Sequence, residues 1–279
     1  TELLREPDGR VRGVRLTLDD SSREVRARVV VGADGLGSVV ARRLGLTRRL
    51  RWPRRIALVT HYKGVKDVGE HGEMHVAPDG YVGIADVGGG LTTVAAVFPV
   101  SRSREISRDR IEFLRRWLFD QRRLALRFAS AERVTPVVAT GPFASYARRA
   151  SAPGAALVGD AADFFDPFTG EGIYAALRGG EILADHVTES LAAATPALAD
   201  AALREYDYAR RREFGGKWLV ERVIGAVVAS PRLINRAARR LAARKDLADL
   251  LIGVTGNFVP AREVIRLGYV WNVFISGVP

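Results

Sequence analysis

Cysteine is absent from this 279-residue chain, which excludes disulfides, thiolate metal sites and a cysteine nucleophile. Histidine is scarce, with four residues, of which only His71 and His75 could share one face of a strand. Two histidines without a carboxylate at metal spacing fit a structural role better than a metal centre, so no metal is expected. No apolar run approaches the roughly 20 residues of a membrane span. The best stretch, 218–229, is broken by Glu221 and Arg222. There is no Ser-His-Asp set, no P-loop and no paired-carboxylate hydrolase pattern. A G-x-G-x-x-G turn is missing too, so no complete dinucleotide-binding fingerprint is present.

Lysine is rare: Lys63, Lys66, Lys217 and Lys245 are the only lysines among 43 basic residues, against a net charge of +11. That imbalance reads as a general preference for arginine rather than a designed binding face. The densest basic patch is Arg236, Arg239, Arg240, Arg244 and Lys245, on a helix opened by Ser230 as N-cap and Pro231. Leu233, Ala237, Leu241 and Ala242 give that helix an apolar side, so its arginines read first as a solvated outer face. Peripheral contact with an anionic membrane surface is the second reading. No aromatic residues interleave with the arginines to stack bases, so no nucleic-acid partner is expected.

Against these absences stand two glycine-rich segments. In the second, the apolar run Ala155 to Val158 ends in Gly159-Asp160, crosses a loop stiffened by Pro167, and restarts as a helix. The run suits a strand buried on both faces of a parallel sheet. Asp160 then lies at the carboxyl end of that strand, where open α/β sheets bind ligands. Gly159 permits close approach, and Gly170 and Gly172 uncover the first N–H groups of the helix for a partly negative group. As a bare pattern this also fits an ordinary βα unit with a glycine-rich turn. In the first segment, Val29 to Val31 leads into Gly32-Ala33-Asp34-Gly35-Leu36-Gly37-Ser38 before the helix Val39 to Leu44. Its glycines run in reverse of the pyrophosphate-loop spacing.

The later segment resembles the second FAD-binding motif of flavoprotein monooxygenases and geranylgeranyl reductases, and the earlier one resembles their Gly-Ala-Asp-Gly-x-x-Ser motif. Order and separation agree as well. The resemblance implies that Ala33, Asp34 and Gly35 lie beside the adenosine half of FAD. It implies that Gly159 and Asp160 meet its ribityl-pyrophosphate region, with the Asp160 carboxylate holding a hydroxyl. Pro167, Gly170, Glu171, Gly172 and Ile173 then back the flavin ring near N1 and the C2 carbonyl. Both families carry a G-x-G-x-x-G unit nearer the N-terminus. The expectation is therefore that this chain is the C-terminal portion of a longer one, leaving the strands Val29–Gly32 and Ala155–Val158 short of a neighbour.

The resemblance implies an α/β fold: a partial FAD-binding Rossmann-like domain of the glutathione-reductase, para-hydroxybenzoate-hydroxylase type. Residues 1–50 and 151–195 would form it, with a β-rich substrate domain over 51–150 and a helical C-terminal region over 196–279. Patterning predicts strands at Thr1–Arg5, Val11–Leu18 and Arg23–Val31, with a turn at Asp19-Asp20-Ser21-Ser22. It predicts four more at Arg55–Tyr62, Glu73–Ala77, Tyr81–Val87 and Leu91–Phe98, a basic helix over 108–128, and a strand near 133–139. On the helix after the second motif, Ile173, Ala176, Leu177, Gly180, Leu183, Ala184, Val187 and Leu191 share the apolar face. Gly179 and Gly180 cost about 1 kcal/mol each against alanine, which close packing on the sheet would explain.

Simple aromatic hydroxylases of the family read Gly-Asp-Ala-Ala-His, then Gly-Gln-Gly and an Asn. Here Asp163 stands for the His, Glu171 for the Gln and Tyr174 for the Asn, which is closer to the geranylgeranyl reductase group. The resemblance implies an FAD-dependent oxidoreductase with NAD(P)H as electron donor and a lipophilic small-molecule substrate. Double-bond reduction and oxygen-dependent hydroxylation both remain open, and a flavin- or lipid-binding module without turnover is the alternative. The expected location is cytoplasmic, with or without peripheral membrane contact. No residue is singled out as catalytic, because in such enzymes the cofactor carries the redox chemistry.

Overall fold

The computed structural model describes residues 2–18 and 21–275. Thr1 and the turn residues Asp19 and Asp20 lie outside the described residues. The chain divides into two compact units: Thr1–Leu50, Ala144–Val227 and Arg232–Pro279 form the first, Arg51–Phe143 and Val228–Pro231 the second. The helices beyond residue 196 thus fall with the two glycine-rich segments.

In the first unit, Glu2–Arg5, Val11–Leu18 and Ser21–Arg26 form an antiparallel meander. The run expected as one strand over Arg23–Val31 is two. Ser21–Arg26 stays in the meander, whereas Val30–Gly32 leaves it to pair in parallel with Ala155–Leu157. Both residue pairs in contact with the core, Val30 with Ala155 and Ala156 with Leu157, are small or branched, as a doubly covered strand requires. Ser151–Ala152 completes this sheet on the far side of Ala155–Leu157. The expectation of missing neighbours is therefore corrected for Ala155–Leu157, which is flanked on both sides. Val30–Gly32 has one neighbour among the described residues, and Val31 is 41% exposed.

Pro196 and Pro231 open helices Pro196–Val228 and Pro231–Ala243, as their fixed φ favours. The helix Gly172–Ala192 presents a face displaced by one residue from the expected one. Gly179, Leu183 and Ser190 are buried, while Ile173 and Leu177 are 78% and 68% exposed. Gly179 decides this: a Cβ there would lie 3.4 Å from Val158 Cγ2, so its bareness lets the helix approach the strand end. Gly180 faces open space, and close packing explains only the first of the two glycines. The basic patch is partly engaged inside the unit. Arg236 donates to the Ile275 carbonyl, Arg240 to Asn272, and Arg244 pairs with Asp246. No helix among the described residues is long and apolar enough to cross a membrane.

The second unit is an antiparallel sheet in the order Glu132–Arg133, Arg55–Lys63, Leu91–Pro99, Gly80–Asp86, Glu73–Ala77, with Val138–Thr140 also on Arg55–Lys63. Four of these strands lie within a residue of their predicted positions. The single basic helix is three, Ser103–Arg108, Arg110–Asp120 and Arg122–Phe128. Asp109 causes the first break, because its carboxylate accepts from the Ile111 and Glu112 amides and caps a new helix. Phe98 packs edge-on against Phe113 and Trp117, which ties these helices to the sheet.

His75 has a carboxylate partner that the sequence reading did not give it. Its Nε2 lies 2.9 Å from Glu73 Oε2, and Arg127 grips the same carboxylate. No group of three metal-ligating side chains occurs among the described residues. The Arg127 guanidinium, with help from His75, overcomes partial burial and holds the Glu73 carboxyl down at about 2. A depressed carboxyl stabilises the folded form above its ordinary value near 4.5 and loses that contribution as pH falls toward 2. Arg127→Met should therefore cost on the order of 1–2 kcal/mol more at pH 7 than at pH 2, where mainly the Arg127 bonds to the Lys66 and Asp67 carbonyls are lost, the pair being partly solvated. Urea titrations at both pH values check this, and an equal loss at both would refute the charge argument.

Candidate functional site

Parallel pairing brings the two glycine-rich segments together. Leu157 stands opposite Gly32, and the Val158 amide donates to the Gly32 carbonyl at 3.0 Å. Ala33–Gly35 and Gly159–Asp160 therefore leave the sheet side by side, at its carboxyl end, despite more than a hundred intervening residues. Gly32 is fixed there by space: a Cβ would come within 2.7 Å of Leu157 and 2.8 Å of Val40.

The two acids of these segments do different work. Asp34 is turned onto its own helix, Val39–Arg43, where Oδ2 accepts from the Val39 and Val40 amides at 2.7 and 3.2 Å. Ser38 donates to Asp34 Oδ1 and accepts from the Ala41 amide, so the two side chains cap the helix jointly. Partial burial opposes ionisation of Asp34, but the Ser38 hydroxyl and the Val40 and Val39 amides hold its carboxyl below the usual range. Gly35 beside it has φ +69° and open space around it. Asp160 has no hydrogen-bond or ion-pair partner among the described residues, and burial alone pushes its carboxyl up. A half-buried acid with nothing bonded to it is a group awaiting a donor.

Gly159 has φ +60°, and a Cβ on it would meet Ala176 at 3.2 Å, so its bareness serves the turn and the adjacent helix. Asp166 then accepts from the Phe168 amide and opens the short turn Pro167–Thr169, which Gly170 closes at φ +74°. A side chain on Gly170 would point into open space, and one on Gly172 would lie 3.8 Å from Asp160 Oδ1. Asp160 and the first turn of the helix Gly172–Ala192 thus border one spot. Ile173 is exposed beside it, whereas Glu171 is 8% exposed and points inward.

Behind this spot runs the helix Pro196–Val228, whose contribution the sequence reading missed. Arg210, 5% exposed, forms an ion pair with Asp163 and lies over the Trp218 ring at 4.8 Å. Trp218 Nε1 donates to the same Asp163 at 3.0 Å. Lys217 Nζ lies 3.4 Å from Glu171 Oε1 and 4.4 Å from the centre of the Tyr174 ring, and Glu221 is hydrogen-bonded to Glu171. The three positions that depart from the aromatic-hydroxylase pattern, Asp163, Glu171 and Tyr174, are therefore all met by this one helix.

The residues present fit a bound FAD: a partnerless carboxylate at the strand end, an open glycine turn, and a bare helix start. Residues 1–213 match the family described as FAD binding domain. The chain belongs to that family. A digeranylgeranylglycerophospholipid reductase of Methanopyrus kandleri is 30% identical over 266 residues, covering 93% of this chain and 64% of its own length. This chain thus spans under two thirds of that reductase. The flavin-dependent brominase Bmp2 superposes with a TM-score of 0.73 at 20% identity, covering 92% of this chain and 63% of the brominase. A geranylgeranyl bacteriochlorophyll reductase-like protein from Thermoplasma acidophilum gives 0.69 at 20% identity, covering 90% and 60%. These two share the α/β FAD-binding fold with this chain.

Proposed function

We propose that the protein is an FAD-dependent oxidoreductase that reduces a double bond of a lipophilic substrate, with NADPH or NADH as electron donor. The observation that carries this reading is Asp160, partnerless and half-buried at the carboxyl end of the parallel pair, beside an open helix start. Asp160 would hold a hydroxyl of the ribityl-pyrophosphate region, and Ala33–Gly35 would line the adenosine side. The N–H groups that Gly170 and Gly172 uncover would favour partial negative charge on the ring. When bound, FAD supplies the electron transfer itself. Reduction is preferred over hydroxylation because Asp163, Glu171 and Tyr174 replace the His, Gln and Asn of the hydroxylases. The names of relatives such as the Methanopyrus reductase support the same choice.

Bleaching of the flavin by NADPH or NADH, followed by product mass, tests the proposal. A product heavier by two hydrogens is expected. Added oxygen would make the protein a hydroxylase, and flavin that no reductant bleaches would leave only a binding module. Asp160→Ala in the full-length protein should weaken FAD binding by about 1–3 kcal/mol, the scale of a charge-assisted hydrogen bond. Stability without flavin should be unchanged or slightly higher, since no protein partner is lost. Flavin retention equal to wild type after dialysis would remove Asp160 from the site.

A further inference from the structure

Two carboxyls and one ammonium meet behind the Gly170–Gly172 turn. Glu171, at the N-cap position of the helix Gly172–Ala192, is bonded to Glu221 and lies 3.4 Å from Lys217 Nζ. Lys217 and Glu221 are four residues apart on the helix Pro196–Val228, so both reach Glu171 from one face. The side chains of Glu171 and Lys217 are only 6% and 15% exposed. Asp166, from the turn before the helix, also acts on Glu221, and it too is acidic. Tyr174 adds its ring face beneath the ammonium.

With both glutamates ionised, this enclosed cluster carries one excess negative charge, and two carboxylates cannot hydrogen-bond to each other. With one proton added, the bond between them is made and the charge cancels against Lys217. We propose that Glu221 keeps its proton at neutral pH and turns it toward Glu171, and that the charge balance this gives with Lys217 is what lets the Gly170–Gly172 turn accept the partial negative charge of a bound FAD. The second half rests on the cofactor reading given above; the first does not.

Burial, then the neighbouring Glu171, pushes the Glu221 carboxyl up to about 8, against the pull of Lys217. A carboxyl raised on folding contributes stability that is complete below its ordinary value near 4.5 and is lost as pH rises through about 8. Glu221→Gln keeps a donor toward Glu171 and removes the titration. The cofactor-free protein should therefore melt at steadily lower temperature between pH 5 and pH 9, and Glu221→Gln should fall much less over the same range. Parallel melting profiles would overturn the retained proton on Glu221.

In the same buffers, FAD should bind the wild type roughly tenfold more weakly at pH 9 than at pH 7, equivalent to about 1.4 kcal/mol of repulsion. For Glu221→Gln the affinity should stay level. Equal slopes in both proteins would overturn the coupling to the cofactor. Diverging melting profiles with no FAD bound at any pH would instead overturn the cofactor reading and leave the retained proton on Glu221 standing. Glu171→Gln removes the neighbouring carboxylate but not the burial of Glu221, so both profiles should become shallower without turning flat, which covers the case of an unstable Glu221 variant.

Discussion

Arg210→Ala should destabilise the first unit by about 3–5 kcal/mol, the usual cost of stripping one partner from a buried ion pair. The variant leaves the Asp163 carboxylate with the Trp218 indole as its remaining side-chain donor among the described residues. It also removes the flat cation stacked on Trp218 and Phe214. Lysine is no remedy, because an ammonium cannot lie flat on the ring while reaching the carboxylate. Replacing both partners, Arg210→Met with Asp163→Leu, should recover most of the loss, since the charge needing compensation is gone. Chemical denaturation of the two variants decides this. A single variant that loses under about 1 kcal/mol would show that the pair is a solvated contact.

Tyr206→Ala should cost a similar amount, about 3–5 kcal/mol, through a different mechanism. Tyr206 is fully buried between Leu157, Leu183 and Leu203, and its hydroxyl donates to the Leu157 carbonyl at 2.8 Å. The alanine variant opens a cavity against the strand that ends in Gly159-Asp160. Tyr206→Phe keeps the volume and loses only the bond, so about 1 kcal/mol is expected. The ratio of the two losses is the check: near-equal losses would mean that the hydrogen bond, and not packing, anchors the strand. If FAD affinity falls in the alanine variant alone, the strand's position is what the site depends on.

Both glycine-rich segments were legible because each is local. An apolar run, a positive-φ glycine and a helix start occupy consecutive residues, and parallel pairing follows once both strands are recognised. The strands Arg55–Lys63, Glu73–Ala77, Gly80–Asp86 and Leu91–Pro99 were legible for the same reason, since period-2 patterning and the Gly88–Gly90 turn mark them. The strands Thr47–Arg49, Ser145–Ala147 and Asp163–Phe164 were not. Two or three residues carry no period, and these strands exist because distant segments supply their partners. The orientation of Gly172–Ala192 failed in an instructive way. Hydropathy chose the face with the most apolar atoms, while the packing chose the face with the least bulk, at Gly179.

Asp34 and Asp160 looked alike in sequence, each an acid after a strand. What separates them is the next helix: Ser38 draws Asp34 into a cap, whereas the loop after Asp160 turns away and leaves its carboxylate alone. Arg210, Lys217, Trp218 and Glu221 were invisible as site residues because their partners lie about fifty residues earlier. A signal did exist. Their spacing repeats every three or four residues, continuing the face of Leu203, Tyr206 and Phe214, where a buried helix would ordinarily hold apolar residues only.

That face makes the helix Pro196–Val228 a ruler. Asp200 receives the Gly154 amide, Tyr206 bonds Leu157, Asp207 receives the Ala150 amide, Arg210 meets Asp163 and Lys217 meets Glu171. Each loop that frames the candidate site is gauged against a different rung. Inserting or deleting one residue between Asp207 and Lys217 rotates everything beyond it by about 100°. No single substitution can restore that register, because Asp163 and Glu171, the partners on the displaced side, sit on separate segments. Length variation among proteins of this design should therefore gather in the turns around Ala193–Thr195 and Ala229–Ser230, while the helix between them keeps a fixed count of residues.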